Sequence, residues 1–426
     1  MELLVTSSLY EEAARIAAKS SVVETPEVDE VRSRVLLREI LTFCKEVGAS
    51  DIQLRSNRML YIETHIGMEI LQHYGVIDEM TILGLLRELA TFKEETNPIF
   101  LQDENGPAGE TNSINHIIRK LKQGLVADFS CRSVPLDDDG HFSGRLRVQA
   151  HFSSSGLGVT CRILNEYIPE LEELGFAPDT IASLRTCVVR RAGLCLVTGP
   201  TGSGKSTTLA SLIDWVRRHY RKHIVTLEDP VEYLYPHDIK GPGGESFAAP
   251  GLVTQQEVGR DISSYRQGLK DVLRKAPHII LLGEIRDREA METCMEAAQT
   301  GHLVLSTLHT TGSVKTLGRI LEMFPRDKHE SVLSRMSEIM MFILSQGLLR
   351  TENRRVLTYE FLLNQDDACA SAIAGYHRGP GSVNDVIGRS GNIEWDANLF
   401  RLLRGGIIDE ETFVNNRMRR DDGGSH

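Results

Sequence analysis

No two cysteines in this chain fall in a C-x-x-C spacing. The seven, at positions 44, 131, 161, 187, 195, 294 and 369, are odd in number and scattered. That argues against a zinc ribbon or a paired redox motif and reads as reduced thiols in a cytosolic protein. Basic charge is also short, with 48 Lys and Arg against 59 Asp and Glu, a net charge of -11. A chain built mainly to grip nucleic acid would carry the opposite balance. Aromatic residues are only 6% of the total, and no aromatic-basic segment for stacking on a single strand is found. No apolar run reaches the roughly 20 residues needed to cross a bilayer. The opening stretch MELLVTSSLYEEAARIAAKS carries glutamates where a secretory signal needs an apolar run. A membrane link is therefore expected to be peripheral or through a partner. Internal repeats and low-complexity blocks are lacking as well.

What is present is an ordinary globular composition, 41% hydrophobic and 25% charged. At 426 residues the chain exceeds one compact core, so two or three domains are expected. Residues 1–30 read as a helix and linker. Residues 31–165 read as an α+β domain: a helix from Val31 to Val47 ended by Gly48, strands DIQLR and MLYIET around a turn, and a helix from Asp78 to Phe92. Its last part, GRLRVQAHF, alternates. Leu146, Val148, Ala150 and Phe152 face one side; Arg145, Arg147, Gln149 and His151 face the other. The strand VTCRIL then places Arg162 opposite its own apolar face. Residues 166–180 read as a linker. From 181 to 365, apolar strands alternate with helices, the mark of an α/β domain with a largely parallel sheet. Residues 366–426 read as a helical C-terminal region ending in a disordered tail.

One motif carries explicit chemistry. GPTGSGKST, residues 199–207, fits G-x-x-x-x-G-K-[ST] and lies between an apolar strand and an amphipathic helix. Gly199, Thr201, Gly202, Ser203, Gly204 and Thr207 would present backbone N–H groups to phosphate oxygens, aided by the helix N-terminus. Lys205 would reach the β- and γ-phosphates of ATP, and Ser206 would offer its hydroxyl to Mg²⁺. An ordinary Gly-rich turn is the plain alternative; the complete motif in its required context argues against it. Three later strands end on polar chemistry: TLEDPVEY with Glu228, Asp229 and Glu232; LLGEIRD with Glu284; and TGHLVLSTLHT with His302 and His309 at its two ends. Ligands of doubly wound sheets sit at the carboxyl ends of strands. A strand-end acid alone is usually solvated or capping; four such ends together point to a site.

These four blocks, in this order, resemble the Walker A, Asp box, Walker B and His box of the secretion ATPase superfamily. That family includes type II secretion, type IV secretion and type IV pilus retraction ATPases. GASDIQL near residue 50, DFS at 128–130, QQEVGRD and IIDEETF extend the resemblance over most of the chain. The stretches LRKAPHIILLGEIRD, RRVLTYEFLL and GNIEWDANLFRLLRGGIIDEETF look most like the type IVB and conjugative ATPases of the DotB and TraJ kind. The resemblance implies a RecA-like P-loop domain preceded by a PAS-like domain. It also implies a homo-hexamer that hydrolyses ATP to power a secretion or pilus machine at the cytoplasmic face of the inner membrane. Glu284 would polarise the attacking water, or a water on Mg²⁺, with Glu228 and His309 sharing the work. Arg147 and Arg162 would reach the phosphates from the N-terminal domain; strand parity alone reads them as a solvated face. Two departures stand out. Ala276-Pro277-His278 replaces the usual Asp-Pro-Asp, and residues 237–252 make a longer loop than the family's. A RecA-like nucleic-acid motor, a pilus retraction ATPase and an idle ATP-binding scaffold are the alternatives; direct nucleic-acid binding is not expected.

Overall fold

The computed structural model describes residues 28–64, 66–91, 114–135, 141–164, 167–240, 244–351, 354–389 and 391–418. Residues 1–27 of the expected N-terminal helix and linker, most of the polar stretch at 100–114 and the C-terminal tail lie outside these residues; residues 28–30, expected as linker, open a helix instead. The chain divides into two compact units, Met1–Glu166 and Tyr167–His426.

In the first unit, helix α1 (Val28–Glu46) precedes strands β1 (Asp51–Arg55), β2 (Arg58–Glu63) and β3 (Met68–Ile77). Helices α2 (Glu79–Thr91) and α3 (Ile114–Lys122) follow, then β4 (Ala127–Pro135), β5 (His141–Ser153) and β6 (Gly156–Leu164). Gly48, at φ 66, follows α1 in the left-handed conformation that glycine adopts without strain. The six strands form one antiparallel sheet in the order β3-β2-β1-β6-β5-β4. Leu37, Ile40 and Leu41 of α1 and Ile82, Leu85 and Leu89 of α2 pack on the sheet's Ile52, Leu60, Leu146 and Val148. Two positions differ from the alternation read in the sequence. Phe152 is 51% exposed, near the end of β5 beside the hairpin turn. Arg145, expected on the polar face, is only 1% exposed.

The second unit begins with packed chain. Leu171, Phe176 and Ile181, in or beside the stretch expected as a linker, belong to an apolar cluster with β-strand residues of this unit. Helix α4 (Pro178–Val188) leads to β7 (Gly193–Thr198), α5 (Lys205–His219) and β8 (His223–Glu228). A short antiparallel hairpin, β9 (Asp238–Lys240) with β10 (Ser246–Ala248), occupies the long loop and leads into β11 (Leu252–Glu257). Next come α6 (Tyr265–Val272), β12 (Ile279–Leu282), α7 (Arg288–Gln299), β13 (Leu303–Leu308), α8 (Ser313–Glu322) and α9 (His329–Ile339). Strands β14 (Met340–Arg350) and β15 (Arg355–Leu363) precede helices α10 (Asp367–Ala374), α11 (Gly381–Ile387), α12 (Trp395–Arg404) and α13 (Glu410–Asn416).

The seven strands run β11-β8-β12-β13-β7-β14-β15, parallel throughout except for the antiparallel β14–β15 pair. Every residue of β7 is buried. Leu194 and Leu196 point into one apolar cluster, Cys195 and Val197 into another, so helices cover both faces of the sheet. The fold is α/β with a mixed, largely parallel sheet. No described helix is long and apolar enough to cross a membrane.

Candidate active site

The glycine at the end of β7 starts the site. Gly199 has φ 143, and a Cβ there would lie 2.2 Å from the carbonyl oxygen of Gln346 and 2.6 Å from Ser203 Oγ. No side chain fits, so the chain can turn sharply into the loop. Helix α5 begins at Lys205 with no side-chain cap, leaving its first N–H groups directed at the loop. Lys205 is 8% exposed, and its Nζ donates to the carbonyls of Gly199 and Pro200, each at 2.9 Å. Burial pulls its pKa below the ordinary lysine value; Glu284 and Glu232 act the other way. Ser206 is exposed, and Thr207 Oγ1 lies 2.8 Å from the hydroxyl of Tyr233.

Strand β8 delivers Glu228. Thr226 Oγ1 donates to its Oε1 at 2.6 Å and Gln255 Nε2 at 3.2 Å. Gln255 also donates to the carbonyl of Tyr233 at 2.8 Å, tying the loop after β8 to β11. Burial pushes the Glu228 carboxyl up to about 7, against those two hydrogen bonds, and Glu232 and Glu257 add to the rise.

The next strand, β12, ends at Gly283-Glu284. A Cβ on Gly283 would meet the Tyr265 hydroxyl at 2.8 Å and the Leu227 carbonyl at 3.2 Å, so the backbone here passes close against β8. Glu284 Oε2 accepts from Arg286 Nε at 2.9 Å, and its Oε1 lies 3.3 Å from His309 Nε2. Arg286 also lies 3.9 Å from Asp229 and over the ring of Tyr265. Glu284, Arg286, His309, Thr310 and Arg319 line a cleft of about 260 Å³. Asp287 serves α7 as its N-cap, accepting from Ala290 N at 2.9 Å. His302 sits at the opposite end of β13 from His309, its ring against the carbonyl of Ala297.

In the first unit, Arg147 and Arg162 are register partners across β5 and β6. Like charges directly opposite one another repel. Each has a carboxylate: Arg147 pairs with Asp128 at 2.9 Å and Arg162 with Asp51 at 2.8 Å.

The sequence reading missed four contributors. Gln255 lay within a noted motif with no role attached. Ser345 and Gln346 lay in residues 330–350, which read as helical; the helix in fact ends at Ile339, and Met340–Arg350 form β14 between β7 and β15. Glu360 lay in RVLTYEFLL, which reads as a strand with no role for its acid. Ser345 Oγ accepts from Gly312 N at 2.7 Å and Glu360 Oε1 from Ser313 N at 2.6 Å. Ser345 and Glu360 are register partners, so β14 and β15 together cap helix α8, whose own N-cap has no side chain.

A seven-stranded sheet with a phosphate loop and polar strand ends defines a nucleotide-binding α/β protein. The family described as type II/IV secretion system protein matches residues 112–391, and the chain belongs to it. A twitching motility protein of Neisseria gonorrhoeae is 36% identical over 307 residues, 71% of this chain and 75% of the relative. Two further bacterial relatives are matched over 63% and 60% of their own lengths; the second is the type IV pilus retraction ATPase PilT of Pseudomonas aeruginosa. Among solved structures, the Legionella pneumophila ATPase DotB superposes with a TM-score of 0.73 at 22% identity, covering 93% of this chain and 96% of DotB. The pilus retraction motor PilT with bound ADP superposes at 0.70 with 30% identity, covering 90% of this chain and 98% of that one.

Proposed function

We propose that this chain binds ATP and Mg²⁺ and hydrolyses ATP as a subunit of a homo-hexamer. The hexamer powers a type IV secretion machine of the IVB or conjugative kind from the cytoplasmic face of the inner membrane, docked through partner proteins. The observation that carries the hydrolytic reading is the meeting of three elements at neighbouring parallel strand ends. They are the phosphate loop with Lys205, Glu228 on β8, and Glu284 beside His309.

The loop suits a polyphosphate. Gly199 admits no side chain, and Ser203 Oγ is buried without a protein hydrogen-bond partner. Backbone N–H groups from Thr201 to Thr207 would line the phosphates, and Lys205 would leave its two carbonyls for phosphate oxygens. Mg²⁺, when bound, neutralises charge on the β- and γ-phosphates; the Ser206 hydroxyl and, through water, Glu284 would hold it. Glu284 orients and polarises the attacking water, with His309 and Arg286 fixing its carboxylate. Glu228, an acid near neutrality, shares the proton handling. Arg147 and Arg162 supply positive charge where the transferred phosphoryl group is most negative.

Phosphate release tests this. Lys205→Ala should abolish turnover; a parent rate in that variant overturns the reading. The gonococcal twitching protein and the PilT structure favour a second reading, pilus retraction. Restored twitching in a retraction-deficient strain would support it. Strong stimulation by single-stranded DNA would instead favour a nucleic-acid motor, which the net charge of -11 argues against.

A further inference from the structure

Strand β14 carries two adjacent polar residues in its buried stretch, Ser345 and Gln346, 0% and 1% exposed. On Gln346's side of the strand, the positions before and after it are Leu344 and Leu348. Both belong to or pack against the apolar cluster around β7. A buried amide between two leucines costs free energy unless it makes hydrogen bonds. Gln346 makes one to the phosphate loop. Its Nε2 donates to the carbonyl of Ser203 at 2.7 Å, a partner 143 positions away.

Register explains how it reaches. Ser345 lies beside Thr198, the last residue of β7, so Gln346 comes next to the start of the loop. Its carbonyl oxygen is what leaves no room for a side chain on Gly199, and its Nε2 lies 3.1 Å from where a Cβ on Gly204 would stand. One residue thus bounds the loop at Gly199, Ser203 and Gly204. Gln346 Oε1 and Ser203 Oγ are both buried without protein hydrogen-bond partners. Unmet polar groups of this kind call for a reason, and a site that must keep its shape is one.

We infer that Gln346 is a positioning residue for nucleotide binding. Its amide fixes the Ser203 peptide, so the loop's N–H groups are aligned before phosphate arrives and no ordering cost falls on the binding step. This rests on the reading of residues 199–207 as a phosphate loop.

The test uses the full chain with two neutral variants: Gln346→Met, which keeps length and loses the amide, and Gln346→Leu, which removes every polar atom of the side chain. ADP affinity is measured by titration calorimetry, and ATP turnover by phosphate release. Both variants should raise the ADP Kd and the ATP KM about tenfold, as expected for one lost hydrogen bond. The accompanying fall in kcat should be smaller. A residue that only fills the core would lower the active fraction, and hence kcat, while leaving Kd and KM unchanged; that result overturns the inference. Should Gln346→Met fail to fold, Gln346→Leu decides alone. Lys205→Ala run alongside separates the two claims. If it keeps parent ADP affinity, the phosphate-loop reading fails. If it loses affinity while Gln346→Met and Gln346→Leu keep it, only the positioning role fails.

Discussion

Glu228→Gln should stabilise the protein above neutral pH and do so less and less as pH falls. Burial pushes the Glu228 carboxyl from an ordinary value of 4.5 to about 7. The folded state therefore holds its proton more tightly than the unfolded chain does. Between those two values the native form binds more protons, so stability falls as pH rises. The contribution is fully present below about 4.5 and gone above about 7. A rise of this size corresponds to about 3 kcal/mol. Residue 228 keeps some solvent exposure, so that figure is a ceiling. Glutamine removes the ionisation and keeps an oxygen to accept from Thr226 and Gln255, the two hydrogen bonds seen at Oε1. The stability difference between variant and parent should thus grow by up to about 3 kcal/mol between pH 4.5 and pH 8. For a unit of this size that is a relative gain in Tm of about 5–10 °C. Thermal melts of both proteins across that range, without nucleotide, measure it. A difference that stays constant with pH would refute the reasoning and return Glu228 to an ordinary solvated acid.

Glu284→Gln should retain ATP binding and lower turnover by two or more orders of magnitude, since the amide keeps the shape but not the charge that polarises water. Unchanged turnover would move the role to Glu228. Arg147→Ala and Arg162→Ala should each lower turnover sharply with the fold intact, an effect of about 10³ or more where comparable arginines act. Their ion pairs with Asp128 and Asp51 are partly exposed and worth only about 0–1 kcal/mol, so handing the guanidinium to a phosphate costs little. Parent rates in both variants would leave the pair as a surface feature of the sheet. Light scattering with a non-hydrolysable ATP analogue should read six subunits, and a monomer under every nucleotide condition would overturn the ring.

Much of the fold was legible because its signals are local. The alternation of apolar residues from 145 to 164 marked the β5–β6 hairpin, and short apolar runs between helices marked the parallel sheet. Asp287, Asp366 and Asp409 each cap the helix that follows, a local signal the sequence reading did not use. Strand parity could not tell that Arg145 would be buried while Arg147, on the same side, stays partly open. That depends on what covers the sheet, which parity does not encode. Nor could it show that Arg147 and Arg162 would be register partners, since a slip of two residues preserves both faces.

The candidate site divides along the same line. The 199–207 motif is visible in sequence because its members are consecutive: the glycines, Lys205 and the helix start share one stretch of backbone. The residues that hold those motifs in place act across the sheet. Gln346 reaches Ser203, Ser345 reaches Gly312 and Glu360 reaches Ser313, over separations of 33 to 143 positions. Ser345 and Gln346 are neighbours in β14 and Glu360 sits in β15; all three are common residue types in largely apolar strands, and no spacing rule distinguishes them from tolerated polar substitutions. Only the strand order, with β7 held between β13 and β14, gives these residues partners. That order also gives them a joint consequence. Gly199 N donates to Leu308 O on one side, and the Gln346 carbonyl closes the other. The 199–207 loop and the loop that carries His309 are thus fastened to the same pair of adjacent residues, Gln346 and Ser345. A shift of β14 would move both at once.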